Sequence, residues 1–495
     1  MTNDIRMTGQ SKRFYACTVF IIPVFIALML LITFNQAGTA TELLGIIGIC
    51  VTVLGIAACM CSAIILNSYD RLSEDKIIAL ILLAGFFVKL GYVIRCPYNV
   101  HQHDVESLTS SGHLSYIYRL ANGDGLPLTN SWQYCHPPLH HYLSSVIVRI
   151  SRALGHADAT AFENIQLLTL IYSHLTTVIW CTLLRKAKVS GNALYIVCAL
   201  FAFHPTFTIL SASINNDILT VLLMSAAVYF LFCWYSEPSI KYAAVIGAFV
   251  GLAMMSKFSA VLIAVTVAIV VLIKFISDKE YKCRSFFAQS GIFLAVSVPL
   301  GLWYQVRNMI KFGQPLGYVA PIPTTSGLYT GNESLISRFL IAPAIENKKL
   351  FCAPFDDVNI IAYTLRCSVF GEYKWNGTAI CAILLAINAV MIVISIVCAI
   401  VLLTRHKGLR ESTSMIFAVM WIVHLVFFVY FYLTSPFGCT MDYRYIVLTL
   451  LANAGLLAMY LNKLQSADKR SSRAMFGIIS ALTVTFCIFS TLALY

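Results

Sequence analysis

Charge is what this sequence has least of. Only 11% of its 495 residues are Asp, Glu, Lys or Arg, while 59% are hydrophobic. A soluble domain carries about 25% charged residues. A water-facing surface cannot be built from so few at this length, so lipid must be the main solvent. Acids are the scarcer sign, 22 against 34 Lys and Arg, which leaves a net charge of +12. In a soluble chain that excess would point to nucleic acid. Here it reads as basic cytoplasmic loops that set orientation, with no nucleic-acid partner. Cysteine is plentiful at 16 residues, yet no CxxC pair with a matching partner occurs, which argues against a structural zinc site. Many of the cysteines (Cys50, Cys59, Cys61, Cys198, Cys398) lie inside apolar runs and behave as small hydrophobes. Cys96, Cys135, Cys352, Cys367 and Cys439 fall in external segments, where an oxidising compartment would let them pair. No internal repeat or low-complexity tract is visible. The first apolar run, Tyr15 to Phe34, follows Arg6, Lys12 and Arg13 but lacks a small-residue cleavage site after it. It reads as a retained first helix.

A hydrocarbon core about 30 Å thick needs about 20 apolar residues of helix. Such runs lie near 15–34, 42–66, 77–94, 163–184, 190–203, 217–235, 241–256, 258–276, 285–304, 376–403, 413–434, 443–462 and 474–494. The expectation is an all-α polytopic membrane protein with about 13 transmembrane helices. With the N-terminus in the cytoplasm, the inner loops gather Arg71 and Lys76; Arg185, Lys186 and Lys188; Lys274, Lys279, Lys282 and Arg284; Arg405, Lys407 and Arg410; Lys463, Lys469, Arg470 and Arg473. That is the positive-inside pattern. It holds only if Pro138 to Leu154, with His140, His141, Arg149 and Arg152, does not span. The segment is instead expected to lie in the outer interface. Two long external segments result, near 95–162 and 305–375. The second is rich in Pro and Gly and reads as a loop with short helices. Lys89, near the outer end of the third run, is expected to snorkel to the interface.

The first external segment carries the chemistry-bearing residues. It reads His101-Gln102-His103-Asp104-Val105-Glu106, then an amphipathic stretch Ser107 to Asn122, then Cys135-His136-Pro137-Pro138-Leu139-His140-His141 opening a second interfacial helix. Asp104 borders both lipid and water. A carboxylate there is placed to take a proton from a hydroxyl; the bland alternative is a solvated residue or a cap for a helix beginning near Ser107.

An acid after an early helix, an amphipathic segment and a Pro-Pro-Leu motif together resemble the GT-C superfamily, in particular the bacterial membrane glycosyltransferases similar to protein O-mannosyltransferases and the lipid A aminoarabinose transferase. Four further stretches match in order and sidedness: Asn215-Asn216-Asp217 at an outer helix end, Ser256-Lys257-Phe258 in a hairpin, Trp303-Tyr304-Gln305-Val306-Arg307-Asn308 entering the second loop, and Asp442-Tyr443-Arg444-Tyr445 opening a late helix. The resemblance covers about residues 77–460. It implies a GT-C-like bundle over 71–495, with 1–70 as an N-terminal two-helix addition and two outer interfacial helices in the first long external loop. The implied donor is a polyprenyl- or dolichyl-phosphate sugar, and the implied activity is inverting glycosyl transfer to an extracytoplasmic acceptor. Asp104 would then be the base. Arg307, Arg444 and Lys257 would hold the donor phosphate, because guanidinium groups bind phosphate through two bonds at once. His103, His136, His140, Asn216, Asp217, Asn308 and Tyr445 would line the sugar or the acceptor. The chain departs from many relatives in two places: Val105 follows Asp104 where they have a second acid, and His136 precedes Pro-Pro where they have Lys.

Each residue also has a plainer reading. Asn215 to Asp217 would cap the helix beginning near Ile218, Lys257 would snorkel, and Arg307 would be an interfacial anchor beside Trp303 and Tyr304. Arg444 follows Asp442 by two positions, a spacing that does not share a helix face, so a simple helical ion pair is a poor account of it. Six His in one loop raise the question of a metal, but zinc wants about four fixed ligands. No cofactor is therefore expected, with a divalent metal the disfavoured reading. The rival of another class is a transporter or flippase, which would place ionisable residues near mid-membrane and show inverted repeats. The polar residues here gather at outer helix ends instead. The expected location is a multi-pass position in a plasma membrane, or the endoplasmic reticulum in a eukaryote.

Overall fold

The structure is a computed structural model that describes residues 9–34, 39–100, 104–340, 357–373, 378–405, 412–467 and 469–495. Among the described residues every apolar run read from the sequence is helical, and no strand occurs. The chain is a multi-pass integral membrane protein of all-α class. By length and composition, 11 described helices can cross a membrane, or 12 if Gly438–Ile446 and Leu448–Gln465, bent by 47°, form one broken span. The count of about thirteen is therefore not reached. The run at 241–256 forms the helix Ile240–Ser256, whose 17 residues extend about 26 Å against a core of about 30 Å. It packs closely along Cys283–Phe312, where Gly247 leaves room for the Phe293 carbonyl.

Two polar layers close the bundle ends. At one end Asp75 pairs with Arg185, and Glu74 accepts from the Gly191 amide. At the other end the Gln166 side chain donates to the carbonyls of Cys96 and Ala212, both at 2.9 Å. The apolar core between them is built from helices Glu74–Arg95, Asp158–Lys186, Gly191–Phe203, Asp217–Ser236 and Leu448–Gln465. Lys89 does not snorkel. It is fully buried, and its Nζ donates to the Ser173 carbonyl at 3.3 Å and the Thr177 hydroxyl at 3.4 Å. Thr41–Ser68 packs on Glu74–Arg95, and Gly91 is required there because a Cβ would stand 2.4 Å from the Gly48 carbonyl.

Two short helices, His113–Asn122 and Leu139–Ala153, pack together over the Gln166 end. The second is too short to span. Its pattern is inverted: His140, His141, Ser144, Ser145 and Ser151 are buried, while Tyr142, Leu143, Val146 and Ile150 are exposed. A helix that hides its polar face and presents an apolar stripe is suited to lying in a membrane surface. The first helix begins at His113, not near Ser107, because turns occupy 107–112. Among its described residues, the second long segment between spans contributes the short helices Leu335–Phe339 and Ile360–Phe370.

Candidate functional site

Residues distant in sequence meet at the Gln166 end. Arg444 is the hub. Its Nη1 lies 3.1 Å from Asp104 Oδ2 and 3.5 Å from Asp217 Oδ2, its Nε lies 3.1 Å from Asp442 Oδ2, and its Nη2 lies 3.9 Å from Glu372 Oε2. Lys257 pairs with the other oxygen of Asp217. The Tyr445 ring lies under both cations, 4.8 Å from Lys257 Nζ and 5.2 Å from the Arg444 guanidinium carbon. Four carboxylates thus surround two cations.

Local structure explains each placement. Asp104 and Glu106 have left-handed backbones, φ 55° and 52°, a conformation Asp tolerates better than Glu. It is held from outside the loop: the first amides of helix His113–Asn122 donate to the Asp104 carbonyl (3.0 Å) and, from Leu114, to the Val105 carbonyl (3.2 Å). Those amides have no partner within the helix, so the helix end fixes the loop. Gly112 makes this approach feasible, since a Cβ would stand 2.4 Å from the Val105 carbonyl. Asp104 therefore caps no helix with its side chain; it points to Arg444. Asn215 accepts from the Asp217 amide at 3.1 Å and donates to its carboxylate at 3.0 Å, aiming that carboxylate at Lys257. Asn216 ties this turn to the Lys257 hairpin by donating to the Ser256 carbonyl at 2.7 Å. Lys257 is buried, so it does not snorkel. The Asp442–Arg444 pair forms after all, because residues 443–446 are a 3₁₀ turn in which the Asp442 carboxylate also caps the Arg444 amide at 3.0 Å.

Glu372 is the member that the sequence reading missed. Burial is the main cause that raises its carboxyl above the ordinary value of 4.5; Arg444 opposes the rise and Asp104 adds to it. A folded state that holds the proton more tightly than the unfolded chain loses stability as pH climbs from the ordinary carboxylate value through the raised one. Glu372→Gln should remove that decline. Melting temperatures of the purified chain across that window check it; the wild type should drop with rising pH and the variant should stay flatter.

Beside the ion cluster lies a histidine layer. His113 Nδ1 is 2.9 Å from His141 Nε2, and the His113 ring stacks over His136 at 6.0 Å. Burial, then Lys257, pushes His136 down to about 4, while Asp217, Asp104 and Arg444 also act on it. Neutral at ordinary pH, it can accept or donate a hydrogen bond but brings no charge to an anion. His140 is fully buried, Nε2 is 2.9 Å from the Ile214 carbonyl, and burial lowers it to about 4. It ties the second surface helix to the turn before Asn215. His103 lies outside the described residues.

Arg307 stands apart from Arg444. Its Nη2 donates to the Pro127 carbonyl at 2.7 Å and its Nη1 to Asn308 Oδ1 at 2.6 Å, between the rings of Tyr304 and Phe312. The link to the histidine layer runs through Tyr304, whose hydroxyl accepts from Tyr116 at 3.1 Å; Tyr116 stacks on His141 at 4.0 Å. Asn308 is fully buried, and among the described residues its Nδ2 has no hydrogen-bond partner that meets ordinary geometry. The structure thus brings together Asp104, Asp217, Lys257, Arg444 and Tyr445, sets His136 beside them, and leaves Arg307 and Asn308 in an adjoining cluster at the same end. Among the described residues no group of three His, Cys, Asp or Glu is arranged to hold a metal ion, and Cys96, Cys135, Cys367 and Cys439 are free thiols. Cys352 lies outside the described residues.

Residues 135–303 match the family described as dolichyl-phosphate-mannose-protein mannosyltransferase. The GT-C resemblance read from the sequence is borne out by that match, which supports a membrane glycosyltransferase. The matched third of the chain includes His136, His140, Asn216, Asp217 and Lys257 and stops short of Asp104, Arg307 and Arg444. No curated protein matches. Solved structures of an oligosaccharyltransferase from Archaeoglobus fulgidus are similar. One, tethered to an acceptor peptide containing the NVT sequon, is 15% identical with TM-score 0.48, over 84% of this chain and 55% of that one. Another, in complex with Zn and sulfate, is 14% identical with TM-score 0.46, over 84% and 53%. A third, the AglB enzyme with an inhibitory peptide and a dolichol-phosphate, is 14% identical with TM-score 0.45, over 83% and 55%. The chain spans about half the length of these structures.

Proposed function

We propose that this GT-C-like chain is an inverting glycosyltransferase that moves a sugar from a polyprenyl- or dolichyl-phosphate donor to a hydroxyl acceptor at the extracytoplasmic face. The observation that supports it most is the Asp104–Arg444–Asp217–Lys257 constellation at one end of an apolar bundle, beneath two surface helices. A base and phosphate-binding cations in contact are what this chemistry needs. The acceptor oxygen attacks the anomeric carbon while its proton passes to the Asp104 carboxylate. The bond from that carbon to the phosphate oxygen breaks on the opposite side, its electron pair stays on the oxygen, and a lipid monophosphate leaves. Arg444 and Lys257 neutralise the charge that oxygen gains. Arg307 serves the donor from the adjoining cluster.

The ion pairs give the cluster its resting state. Arg444 and Lys257 are buried, and buried cations need partners; Asp104 and Asp217 supply them before the donor arrives. When the phosphate engages Arg444, it competes with Asp104 for the guanidinium. The freed carboxylate then faces the acceptor as a better proton acceptor. His136, neutral and adjacent, orients a sugar or acceptor hydroxyl.

The test uses the full chain reconstituted in vesicles with a labelled polyprenyl-phosphate sugar and a membrane extract as the acceptor source. Label should leave the donor fraction with one equivalent of polyprenyl phosphate released per sugar moved. Solute uptake that proceeds in the absence of any lipid-phosphate sugar, with no label transferred from a panel of such donors, would overturn the reading in favour of a transporter.

A further inference from the structure

A second feature of the molecule lies far from the ion cluster. A cavity of about 170 Å³ opens between the ends of Asp217–Ser236, Ile240–Ser256, Phe258–Ser277 and Cys283–Phe312. Its lining includes Trp234, Ile246, Val267, Val271, Phe293 and Leu294. Gln289 is its main polar group, and its Oε1 already accepts from Trp234 Nε1 at 2.6 Å and from the Tyr281 hydroxyl at 3.1 Å. Apart from Gln289 and Ser290 the lining is apolar. Leu294 is 53% exposed, and Leu272, Ile276 and Phe287 on the same two helices that line the cavity are exposed too, so the cavity opens sideways towards lipid. Gln289 and Arg307 share one helix 18 positions apart, which places the cavity about 27 Å from the Arg307 cluster, in the opposite leaflet.

The rim is basic on balance. Val271 and Phe286 both line the cavity, and the end of the first of their helices, the turn after it and the start of the second carry Lys274, Lys279, Lys282 and Arg284, with Asp278 and Glu280 among them. Lys241 lies in the first turn of Ile240–Ser256. Lys274 is satisfied by Asp278 at 2.7 Å. Lys241, Lys279, Lys282 and Arg284 are exposed and form no ion pair among the described residues. An apolar slot open to lipid, edged by unpaired cations at headgroup depth, matches one kind of molecule. We infer that this cleft is a binding site for an anionic glycerophospholipid, with an acyl chain between Phe258–Ser277 and Cys283–Phe312 and its phosphate against Lys279, Lys282 and Arg284. Basic residues at that depth attract anionic headgroups, and the attraction grows with each residue. A zwitterionic lipid would fill the slot without using the rim.

Trp234 supplies the readout, because bromine on an acyl chain quenches a nearby indole. The full chain is placed in phosphatidylcholine nanodiscs containing a small fraction of phosphatidylglycerol with dibrominated acyl chains, or the same fraction of equally brominated phosphatidylcholine. The brominated phosphatidylglycerol should quench severalfold more. Trp234→Phe should abolish the excess. So should Ala268→Phe, which fills the slot, and the combined Lys279→Gln, Lys282→Gln, Arg284→Gln variant, which alters only exposed side chains. Equal quenching by the two lipids would overturn the inference, as would an excess that survives the triple substitution. Quenching by a brominated polyprenol that phosphatidylglycerol cannot displace would assign the slot to an isoprenoid tail and overturn it as well.

Discussion

Asp104→Asn should lower the rate of sugar transfer by about two to four orders of magnitude, the range a positioned general base supplies. The substitution keeps size and hydrogen bonding but removes proton-accepting capacity. The direction of the binding effect is the more discriminating part. Asp104 lies 3.1 Å from Arg444 and competes with an incoming phosphate for it. Removing its charge frees the guanidinium, so the donor should bind the variant at least as tightly as the wild type. Initial rates with a labelled lipid-phosphate sugar, measured beside retention of unlabelled polyprenyl phosphate, separate the two effects. Loss of transfer with intact or tightened donor binding fits the base. Unchanged turnover would remove Asp104 from the chemistry. Loss of both would make it a structural partner of Arg444 instead.

The fold was legible because lipid imposes a local rule. A long apolar run must form a helix whatever surrounds it, and all the runs did. The shortfall in the count came from Ile240–Ser256, which length alone does not place, and from the bent pair Gly438–Ile446 and Leu448–Gln465, which counts only if its two parts form one span. The site was legible only in pieces. Asp104, Asp217, Lys257 and Arg444 are far apart in the chain, and no periodicity relates them; a family resemblance was what grouped them. Glu372 escaped because it belongs to none of the quoted motifs, although a lone acid between Phe370 and the span beginning at Ala379 carries the same signal as Asp104: a carboxylate at a helix end with little reason to be there. The misreading of Lys89 had a different cause. Snorkelling is inferred from position along one helix, whereas Ser173 and Thr177, which satisfy this amine, come from another. The Asp442–Arg444 pair was dismissed on helical geometry, and the chain is a 3₁₀ turn there. In each case the decisive partner or conformation was set by packing between segments, which a single sequence does not display.

Arg444→Ala should be the most damaging substitution for stability. The Arg444 side chain is 6% exposed, and four carboxylates, from Asp104, Asp217, Glu372 and Asp442, lie within 3.9 Å of its nitrogens. Removing one partner of a buried ion pair costs about 3–5 kcal/mol, since the remaining charge stays buried. Here only Lys257 would remain against four acids, so the loss should reach the upper part of that range. The signature is its dependence on pH. Without the guanidinium, the acids repel one another and hold protons more tightly in the folded state than in the unfolded one. Stability of the variant should therefore fall as pH rises through and above the carboxylate range, and the deficit against wild type should shrink on acidification. Adding Asp104→Asn should recover part of the loss, because the two changes share one interaction. Arg444→Lys separates folding from function. It keeps one positive charge among the acids and should preserve most of the stability, but a point charge cannot hold a carboxylate and a phosphate through two sets of donors. Transfer by the lysine variant should fall by about 10²-fold or more, comparable to losing one donor to a developing oxyanion. Melting curves against pH and transfer rates, taken on the same preparations, check both halves. A lysine variant with full activity would mean that the fork of Arg444 is dispensable, and that Lys257 and Arg307 alone carry the leaving phosphate.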